Sequence, residues 1–329
     1  MPVEPRLRPL LALAARMRMP SPGTPMSVRR AANERTNRLL GPALMQARGS
    51  VEIRHVAVPV EGGQIAVRLY RPVCAGGAST NLPLHVYLHG GGWCVGSLAD
   101  ADPRCRTTAA EAGCVVASVD YRLAPENRFP VPVEDAYAAL HWLAEHADEL
   151  GVDVQRLSIG GESAGANLAA VCCLLARDRG GPRIGLQVLV VPATDATMSQ
   201  SSVDEMGKGY LLTREAIGLF VEAYLPAGVS RTDPLVSPLH APDLRGLPPA
   251  VVHTAQYDPL RDEGEAYARR LTEAGVAVRH RRLAGHVHHS FAFTRLLASA
   301  RDAERERVAA VRYLDVERLI VPSRTVVPR

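Results

Sequence analysis

The stretch Leu157-Ser-Ile-Gly-Gly-Glu-Ser-Ala-Gly-Ala-Asn-Leu-Ala-Ala170 decides the fold. It begins with an apolar run typical of a buried strand and ends with alanine and leucine, which favour a helix. Between the two lies Gly161-Glu-Ser-Ala-Gly165, a Gly-x-Ser-x-Gly motif. A motif of this kind between a strand and a helix places its serine on a sharp, strained turn, where the hydroxyl is accessible. The sequence therefore predicts a strand, a tight turn and a helix, with Ser163 as a candidate nucleophile.

Strands and helices alternate on both sides of this motif. Eight short runs of β-branched and other apolar residues predict strands, at Val51–Val58, Ile65–Arg71, Leu84–Leu88, Val115–Val119, Leu157–Gly160, Leu186–Val191, Ala250–Ala255 and Val276–Leu283. Between the later runs, apolar residues at three- and four-residue steps predict helices, at Val133–Asp148, Ala164–Arg177 and Leu260–Ala274. This alternation predicts an α/β fold, with a mostly parallel eight-stranded sheet flanked by helices. Because no helix separates the first two runs, we expect them to form an antiparallel hairpin at one edge.

The first 50 residues do not follow this alternation. Residues 1–50 precede the first strand and have a helical pattern, which is interrupted by prolines, Pro20, Pro22 and Pro25. We therefore expect a separate helical segment before the core.

A second segment also departs from the alternation. Residues 197–232 lie between two core strands and contain a polar loop, Ser199–Glu205, and a predicted helix, Thr213–Tyr224. An insertion of this length usually has a function, as a lid or a binding loop. We expect the core to consist of residues 51–196 and 233–329.

Composition narrows the class of protein. The chain has 329 residues, of which 47% are hydrophobic and 22% charged, as in ordinary globular proteins rather than disordered ones. Its formal net charge is only +4, and its basic residues are all arginine except Lys208. No long basic run is present, so we expect no nucleic-acid partner.

Cysteine usage and hydropathy bear on location. The six cysteines form no CxxC pair and indicate free thiols in a reducing compartment, at positions 74, 94, 105, 114, 172 and 173. No apolar run approaches the roughly 18 residues that a membrane helix needs. The stretch Pro9–Ala15 between arginines weakly resembles a signal peptide, but arginine rather than a small-residue cleavage site follows it. A cytoplasmic protein without a membrane span is the expectation.

A glycine-rich loop supplies a second motif. His89-Gly-Gly-Gly-Trp93 directly follows the predicted strand Leu84–Leu88. Consecutive glycines allow backbone N–H groups to point at a site without interference from side chains, as the stabilisation of an oxyanion requires. A phosphate-binding loop is the alternative, but the Gly-Lys-Ser/Thr sequence and the GxGxxG helix start are both missing here. The candidate oxyanion donors are Gly90, Gly91, Gly92 and Ala164.

With these motifs, the chain resembles the hormone-sensitive-lipase-like branch of the α/β-hydrolases, the bacterial family IV carboxylesterases. The resemblance extends from about residue 50 to about residue 295 and includes four motifs in the family's order, His89-Gly-Gly-Gly-Trp93, Asp120-Tyr-Arg-Leu-Ala-Pro-Glu126, Gly161-Glu-Ser-Ala-Gly165 and Tyr257-Asp-Pro-Leu-Arg-Asp-Glu-Gly264. In this family the N-terminal segment and an insertion after the sixth strand form a cap. The resemblance therefore implies a helical cap made of residues 1–50 and 197–232.

The resemblance also implies the partners of Ser163. Asp258 follows a predicted strand and is the implied acid, although an Asp before Pro is also a common helix N-cap. The implied base is His288, with His289 as the alternative: counting from Gly285 and the thirty-residue spacing from Asp258 select His288, and counting back from Phe291 selects His289. Neighbouring side chains on an extended segment face opposite ways, so we expect only one of the two to face Ser163.

Other acidic residues near these motifs are expected to have no chemical role. Glu162 stands before Ser163, where the family commonly has aspartate. We expect three acidic residues in the helix after Asp258 to be surface or structural carboxylates, Asp262, Glu263 and Glu265.

The resemblance implies a serine carboxylesterase that hydrolyses esters with short-to-medium acyl chains through an acyl-enzyme. An amidase, a lactonase or an acyltransferase on the same triad is an alternative, and a non-catalytic small-molecule receptor is another. No cofactor and no metal are implied. A metal site formed by His286, His288 and His289 is disfavoured, because no cysteine or carboxylate clusters with them. The expected partner is a small-molecule ester, and a homodimer is common in such folds.

Overall fold

A central sheet of eight strands organises the computed structural model, which describes residues 2–16, 23–73 and 81–316. Within these residues the strands are β1 Val51–Val60, β2 Gly63–Pro72, β3 Leu82–Leu88, β4 Val115–Val119, β5 Val152–Glu162, β6 Leu186–Val190, β7 Ala250–Tyr257 and β8 Val278–Val287. Their order across the sheet is β1-β2-β4-β3-β5-β6-β7-β8. β2 is antiparallel to β1 and β4, and the six strands from β4 to β8 run parallel. The eight predicted strands and the antiparallel edge hairpin are confirmed.

Helices cover both faces of this sheet. The helices of the described residues, on the sheet and outside it, are α1 Arg8–Arg16, α2 Met26–Leu44, α3 Leu98–Ala112, α4 Val131–Glu145, α5 Ala147–Leu150, α6 Ala164–Asp178, α7 Ser201–Glu205, α8 Arg214–Tyr224, α9 Arg261–Glu273 and α10 Ala298–Tyr313. Short 3₁₀ turns occupy Pro5–Leu7, Pro238–His240 and Ser290–Ala292. Successive strand residues point to opposite faces: Val115, Ala117 and Val119 pack in the larger core cluster, and Val116 packs with α3 and α10 in another.

Two helices that flank the sheet were not predicted. α3 and α10 are rich in charged residues and bury mainly small side chains, such as Ala109 and Cys105 in α3 and Ala303 in α10. Because alanine and cysteine give a weak hydrophobic stripe, the periodicity of these segments is faint.

Two local predictions were wrong. Ser199–Glu205 was expected to be a loop, but Ser201–Glu205 forms the short helix α7. Hydrogen bonds from residues distant in sequence hold it, since Ser202 Oγ donates to the carbonyl of Pro259 at 2.7 Å. The N-cap role that Asp258 would have before Pro259 was also wrong, because α9 begins at Arg261 and its N-cap is Leu260.

The remaining sequence expectations concern the added segments, the cysteines and the membrane. Of the described residues before β1, Arg8–Arg16 form α1 and Met26–Leu44 form α2, with Pro25 immediately before α2, whereas Pro20 and Pro22 lie outside the described residues. The five described cysteines are buried and free, and Cys74 lies outside the described residues. In the part of the chain that the structure describes, no helix is both long enough and apolar enough to cross a bilayer.

Candidate active site

Ser163 occupies a strained turn between β5 and α6. Its backbone has φ +53° and ψ −119°, a region that non-glycine residues rarely adopt. The glycines of the motif permit close packing around it: a Cβ atom on Gly165 would lie 2.1 Å from the carbonyl oxygen of Leu88. The N–H of Ser163 donates to the carbonyl of Val190 at 2.8 Å, which fixes the turn to β6. The predicted strand, turn and helix are confirmed.

A continuous hydrogen-bond chain leads from Ser163 to a buried carboxylate. Ser163 Oγ lies 3.0 Å from His288 Nε2, and His288 Nδ1 lies 2.8 Å from Asp258 Oδ2. All three side chains are buried. Because the carboxylate can only accept, Nδ1 carries the ring proton, and Nε2 is left with a lone pair facing the serine hydroxyl. Asp258 follows β7 and His288 follows β8, so the carboxyl ends of two neighbouring strands position them.

Asp258 also has a local structural role. Its Oδ1 accepts the backbone N–H of Leu260 at 2.9 Å, and its carbonyl accepts the N–H of Arg261. Leu260, rather than Asp258, is the N-cap of α9. The carboxylate therefore orients the histidine with one oxygen and holds the turn before α9 with the other.

We expected the side chain of His289 to face away from Ser163, but it lies beside the site. Its ring makes an edge contact with His288, with centroids 5.1 Å apart, and it lines the same cavity as Ser163. The expectation assumed an extended segment, but His289 has helical angles, φ −91° and ψ −9°, so strand alternation does not apply. No hydrogen bond joins His289 to Ser163 or Asp258 in the described structure.

Side chains for which the sequence predicted no role hold the segment of His288. Gln256 Oε1 accepts the N–H of Gly285 at 2.8 Å. Ser290 Oγ accepts the N–H of Val287 at 3.0 Å and lies 2.9 Å from Nδ1 of His286. His286 is thus part of the supporting network, and burial lowers its pKa to about 4. Side-chain hydrogen bonds of this kind leave no signal in hydrophobic periodicity.

The glycine-rich loop turns its backbone toward Ser163. Gly91, Gly92 and Ala164 line the cavity that contains the serine, and their N–H groups donate to no other described residue. Gly91 and Gly92 have φ +121° and +59°, which favour glycine. Gly90 is not among the residues that line this cavity, and its carbonyl accepts a hydrogen bond from His89 Nδ1 at 2.8 Å.

Aromatic stacking supports this loop from both sides. The ring of His89 stacks on Tyr121 with centroids 4.4 Å apart, and the Tyr121 hydroxyl donates to the carbonyl of His89. Trp93 stacks on Tyr224 of α8, also at 4.4 Å. The loop is therefore fixed between the core and the insertion 197–232.

Two buried carboxylates lie close to Ser163. Glu162 forms an ion pair with Arg104 at 2.6 Å, with both side chains largely buried. Glu263 of α9 lines the serine-containing cavity, and its Oε1 accepts the N–H groups of Thr194 and Asp195 at 2.7 and 3.2 Å. Burial, with the Asp195 carboxylate nearby, raises the pKa of Glu263 well above its ordinary value. Glu263 was expected to be a surface or structural carboxylate; it is buried and structural.

Two cavities meet at His289. The first, here called the serine cavity, has a volume of about 60 Å³; Ser163 and His288 lie on one side, and side chains of the insertion, such as Ile217 and Phe220, lie on the other. The second, here called the helical cavity, has a volume of about 310 Å³ and lies between α1, α2 and the core. Because His289 lines both, the two cavities adjoin at this residue.

This turn and this hydrogen-bond chain are the arrangement found in serine hydrolases of the α/β-hydrolase fold. Comparison with known proteins agrees, since residues 85–292 match the family model for the alpha/beta hydrolase fold. The chain belongs to this family, and within it to the hormone-sensitive-lipase-like branch.

Named relatives and a solved structure are similar over most of the chain. The carboxylic ester hydrolase LipN of Mycobacterium tuberculosis is 45% identical over 268 residues, which are 80% of this chain and 70% of LipN. The carboxylesterase NlhH of the same species is 43% identical over 252 residues, 75% of this chain and 78% of NlhH. A hyperthermophilic esterase from the archaeon Pyrobaculum calidifontis has a TM-score of 0.89 at 39% identity, covering 95% of this chain and 99% of its own.

Proposed function

We propose that this protein is a serine carboxylesterase in which Ser163 is the nucleophile, His288 the base and Asp258 the orienting acid. The observation that carries the proposal is the chain of hydrogen bonds from Asp258 through His288 to Ser163, beside the free N–H groups of the glycine-rich loop. The names of its relatives, which describe carboxylic ester hydrolases, support the same activity.

Acylation begins at the serine hydroxyl. Ser163 Oγ attacks the ester carbonyl carbon while His288 Nε2 takes the hydroxyl proton, and Asp258 stabilises the imidazolium that forms. The carbonyl oxygen becomes an oxyanion, which the N–H groups of Gly91, Gly92 and Ala164 stabilise in this proposal. Removing one such donor typically costs on the order of 2.7–4 kcal/mol of transition-state stabilisation.

The tetrahedral intermediate then collapses. The bond from the carbonyl carbon to the ester oxygen breaks, and His288 gives its proton to the departing alkoxide, which leaves as the alcohol. A water molecule enters, loses a proton to His288 and attacks the acyl-enzyme. The acid leaves when the bond to Ser163 Oγ breaks and the proton returns to that oxygen.

Cavity size supports a short acyl group. An apolar cavity of about 150 Å³ holds one benzene molecule, so the serine cavity, at about 60 Å³, has room for only a few carbons. The leaving alcohol must lie beside His288, where it receives its proton, and the neighbouring residue His289 lines the helical cavity. We therefore assign the short acyl group to the serine cavity and the larger alcohol portion to the helical cavity.

We also propose that residues 1–50 and 197–232 form the cap. The insertion lines the serine cavity with Leu212 and Phe220. Arg30 of α2 supports the same role for the N-terminal segment, because it donates to the carbonyl of Cys94 next to the glycine-rich loop at 2.6 Å and pairs with Glu126.

A cytoplasmic location and a homodimer complete the proposal. The five buried free cysteines support a reducing compartment. β1 and β8 are the edge strands of the described sheet, and either could pair with a second copy. Sedimentation equilibrium tests the dimer, and a monomer at all concentrations would exclude it.

Hydrolysis of a series of 4-nitrophenyl esters tests the function. We expect kcat/KM to be highest for acetate or butyrate and to fall through octanoate to palmitate, and Ser163→Ala to be inactive on all. The matched 4-nitroanilide of the best acid tests for amidase activity and should react far more slowly. A maximum at palmitate would contradict the acyl assignment, and folded protein inert toward every ester would overturn the proposed function.

A further inference from the structure

Positive charge is concentrated at the N-terminal end of the chain. The first 50 residues contain nine arginines and two glutamates, a net charge of +7, whereas the other 279 residues together carry −3. Arg8 and Arg16 of α1 and Arg35 of α2 are exposed, and no carboxylate among the described residues pairs with them. The cap helices therefore present a basic surface on a core whose net charge is slightly negative.

The same helices expose apolar side chains. Leu39 is 67% exposed and Val28 is 53% exposed. With Ala32 and Arg35 they occupy positions 28, 32, 35 and 39, one stripe along α2 at helical spacing. On α1, Leu13 is exposed one turn before Arg16. Leucine, valine and arginine thus share the outer surface of the two helices, here called the basic–apolar face.

This face adjoins the mouth of the helical cavity at Leu13. Leu13 and Leu40 line that cavity and are themselves exposed, so they lie where it opens. The cavity reaches inward to His289, which also lines the serine cavity. The helical cavity therefore extends from the basic–apolar face to His289, with leucines at its mouth and the buried Glu162–Arg104 ion pair in its inner lining.

We propose that the basic–apolar face docks on an anionic lipid surface, from which amphiphilic esters enter the helical cavity. The inference rests on the proposed esterase function, and it identifies a lipid surface as the place from which the enzyme takes its ester substrates. Amphipathic segments with arginine and leucine on one exposed surface bind such interfaces by burying apolar side chains and attracting anionic headgroups. A nucleic acid would satisfy the arginines but would leave Val28 and Leu39 without an apolar partner, so the lipid surface fits both features.

Binding to lipid vesicles tests the proposal independently of catalytic activity. The full chain is sedimented with vesicles of phosphatidylcholine, and with vesicles of equal parts phosphatidylcholine and phosphatidylglycerol. We expect tight binding only to the second kind, with weakening at high salt. Each arginine near an anionic surface strengthens binding about fivefold, so R8Q/R16Q/R35Q should bind about a hundredfold more weakly.

Matched variants separate this face from the overall charge. R54Q/R269Q/R312Q removes three exposed arginines of the core and should bind almost as well as the wild type. V28Q/L39Q should also bind more weakly, because it removes apolar contact without changing the charge. Both cap variants leave the cavity linings intact, so their kcat/KM on a soluble short-chain ester should equal that of the wild type.

Several outcomes would overturn the proposal. They are the absence of binding to phosphatidylglycerol vesicles, equal binding to both kinds of vesicle, an equal loss in the core control, and full binding by V28Q/L39Q. Binding to DNA without binding to vesicles would also overturn it. Vesicle binding by a chain that hydrolyses no soluble ester would support the docking surface and contradict the esterase function, so the two failures are distinguishable.

Discussion

Replacing Asp258 with asparagine changes the proposed triad by one functional group and preserves its shape. Oδ1 of Asp258 accepts the N–H of Leu260 at 2.9 Å, a donor that is fixed in the backbone. In Asp258→Asn the amide NH₂ cannot face that donor, so it must face His288 Nδ1. Nδ1 then has to accept, and the ring proton moves to Nε2, which lies 3.0 Å from Ser163 Oγ. A protonated Nε2 cannot remove the serine proton.

The expected loss follows from the wrong tautomer. Replacing the triad aspartate with asparagine, which holds the histidine in this tautomer, typically lowers kcat about 10⁴-fold. This corresponds to an increase of roughly 5 kcal/mol in the activation free energy. The assay is kcat on a soluble 4-nitrophenyl ester, with circular dichroism to show that the variant is folded.

Asp243 provides a matched control for this substitution. Its Oδ1 accepts the N–H of Arg245, also two residues on, but it contacts no histidine. Asp243→Asn should therefore keep almost all activity. A folded Asp258→Asn protein with wild-type kcat, or an equal loss in Asp243→Asn, would refute the reasoning.

Three further predictions concern the base, the loop and a buried acid. His288→Ala should lower kcat by a factor on the order of a million, and His289→Ala should retain most activity; equal losses would contradict the assignment. Gly92→Ala should lower kcat about 10²–10³-fold, because its Cβ would lie 2.4 Å from the Phe220 ring at φ +59°, and unchanged kcat would remove Gly92 from the oxyanion hole. Because the pKa of Glu263 is raised in the folded protein, its carboxyl group stays protonated at pH values above the ordinary pKa of 4.5. The contribution of Glu263 to stability is therefore complete below pH 4.5 and is lost as the pH rises through the raised pKa. Glu263→Gln removes that loss, so its Tm relative to the wild type should increase with pH; a constant difference would contradict the raised pKa.

Local sequence was sufficient for the strands and for the nucleophile turn. The strand before Ser163 is an apolar run, the two motif glycines leave space for the backbone of Leu88, and alanines favour α6. Each of these signals depends on residues close in sequence, so a single chain reveals them.

Other features depend on contacts that the sequence does not show. Whether Glu263 is exposed or buried depends on where α9 meets the backbone of Thr194, which lies 69 residues earlier. The orientation of His289 depends on the 3₁₀ turn Ser290–Ala292, for which His289 is the N-cap. Such contacts are fixed by tertiary packing rather than by periodicity.

The central claim, that His288 activates Ser163 as a nucleophile, is tested most directly by intact-mass spectrometry after reaction with a 4-nitrophenyl phosphonate, followed by peptide mapping. We expect one phosphonyl group per chain, attached to Ser163, with release of one equivalent of 4-nitrophenol. We expect no adduct in Ser163→Ala and much slower labelling in His288→Ala. Folded protein that remains unlabelled, or that carries its adduct on another residue, would contradict the account.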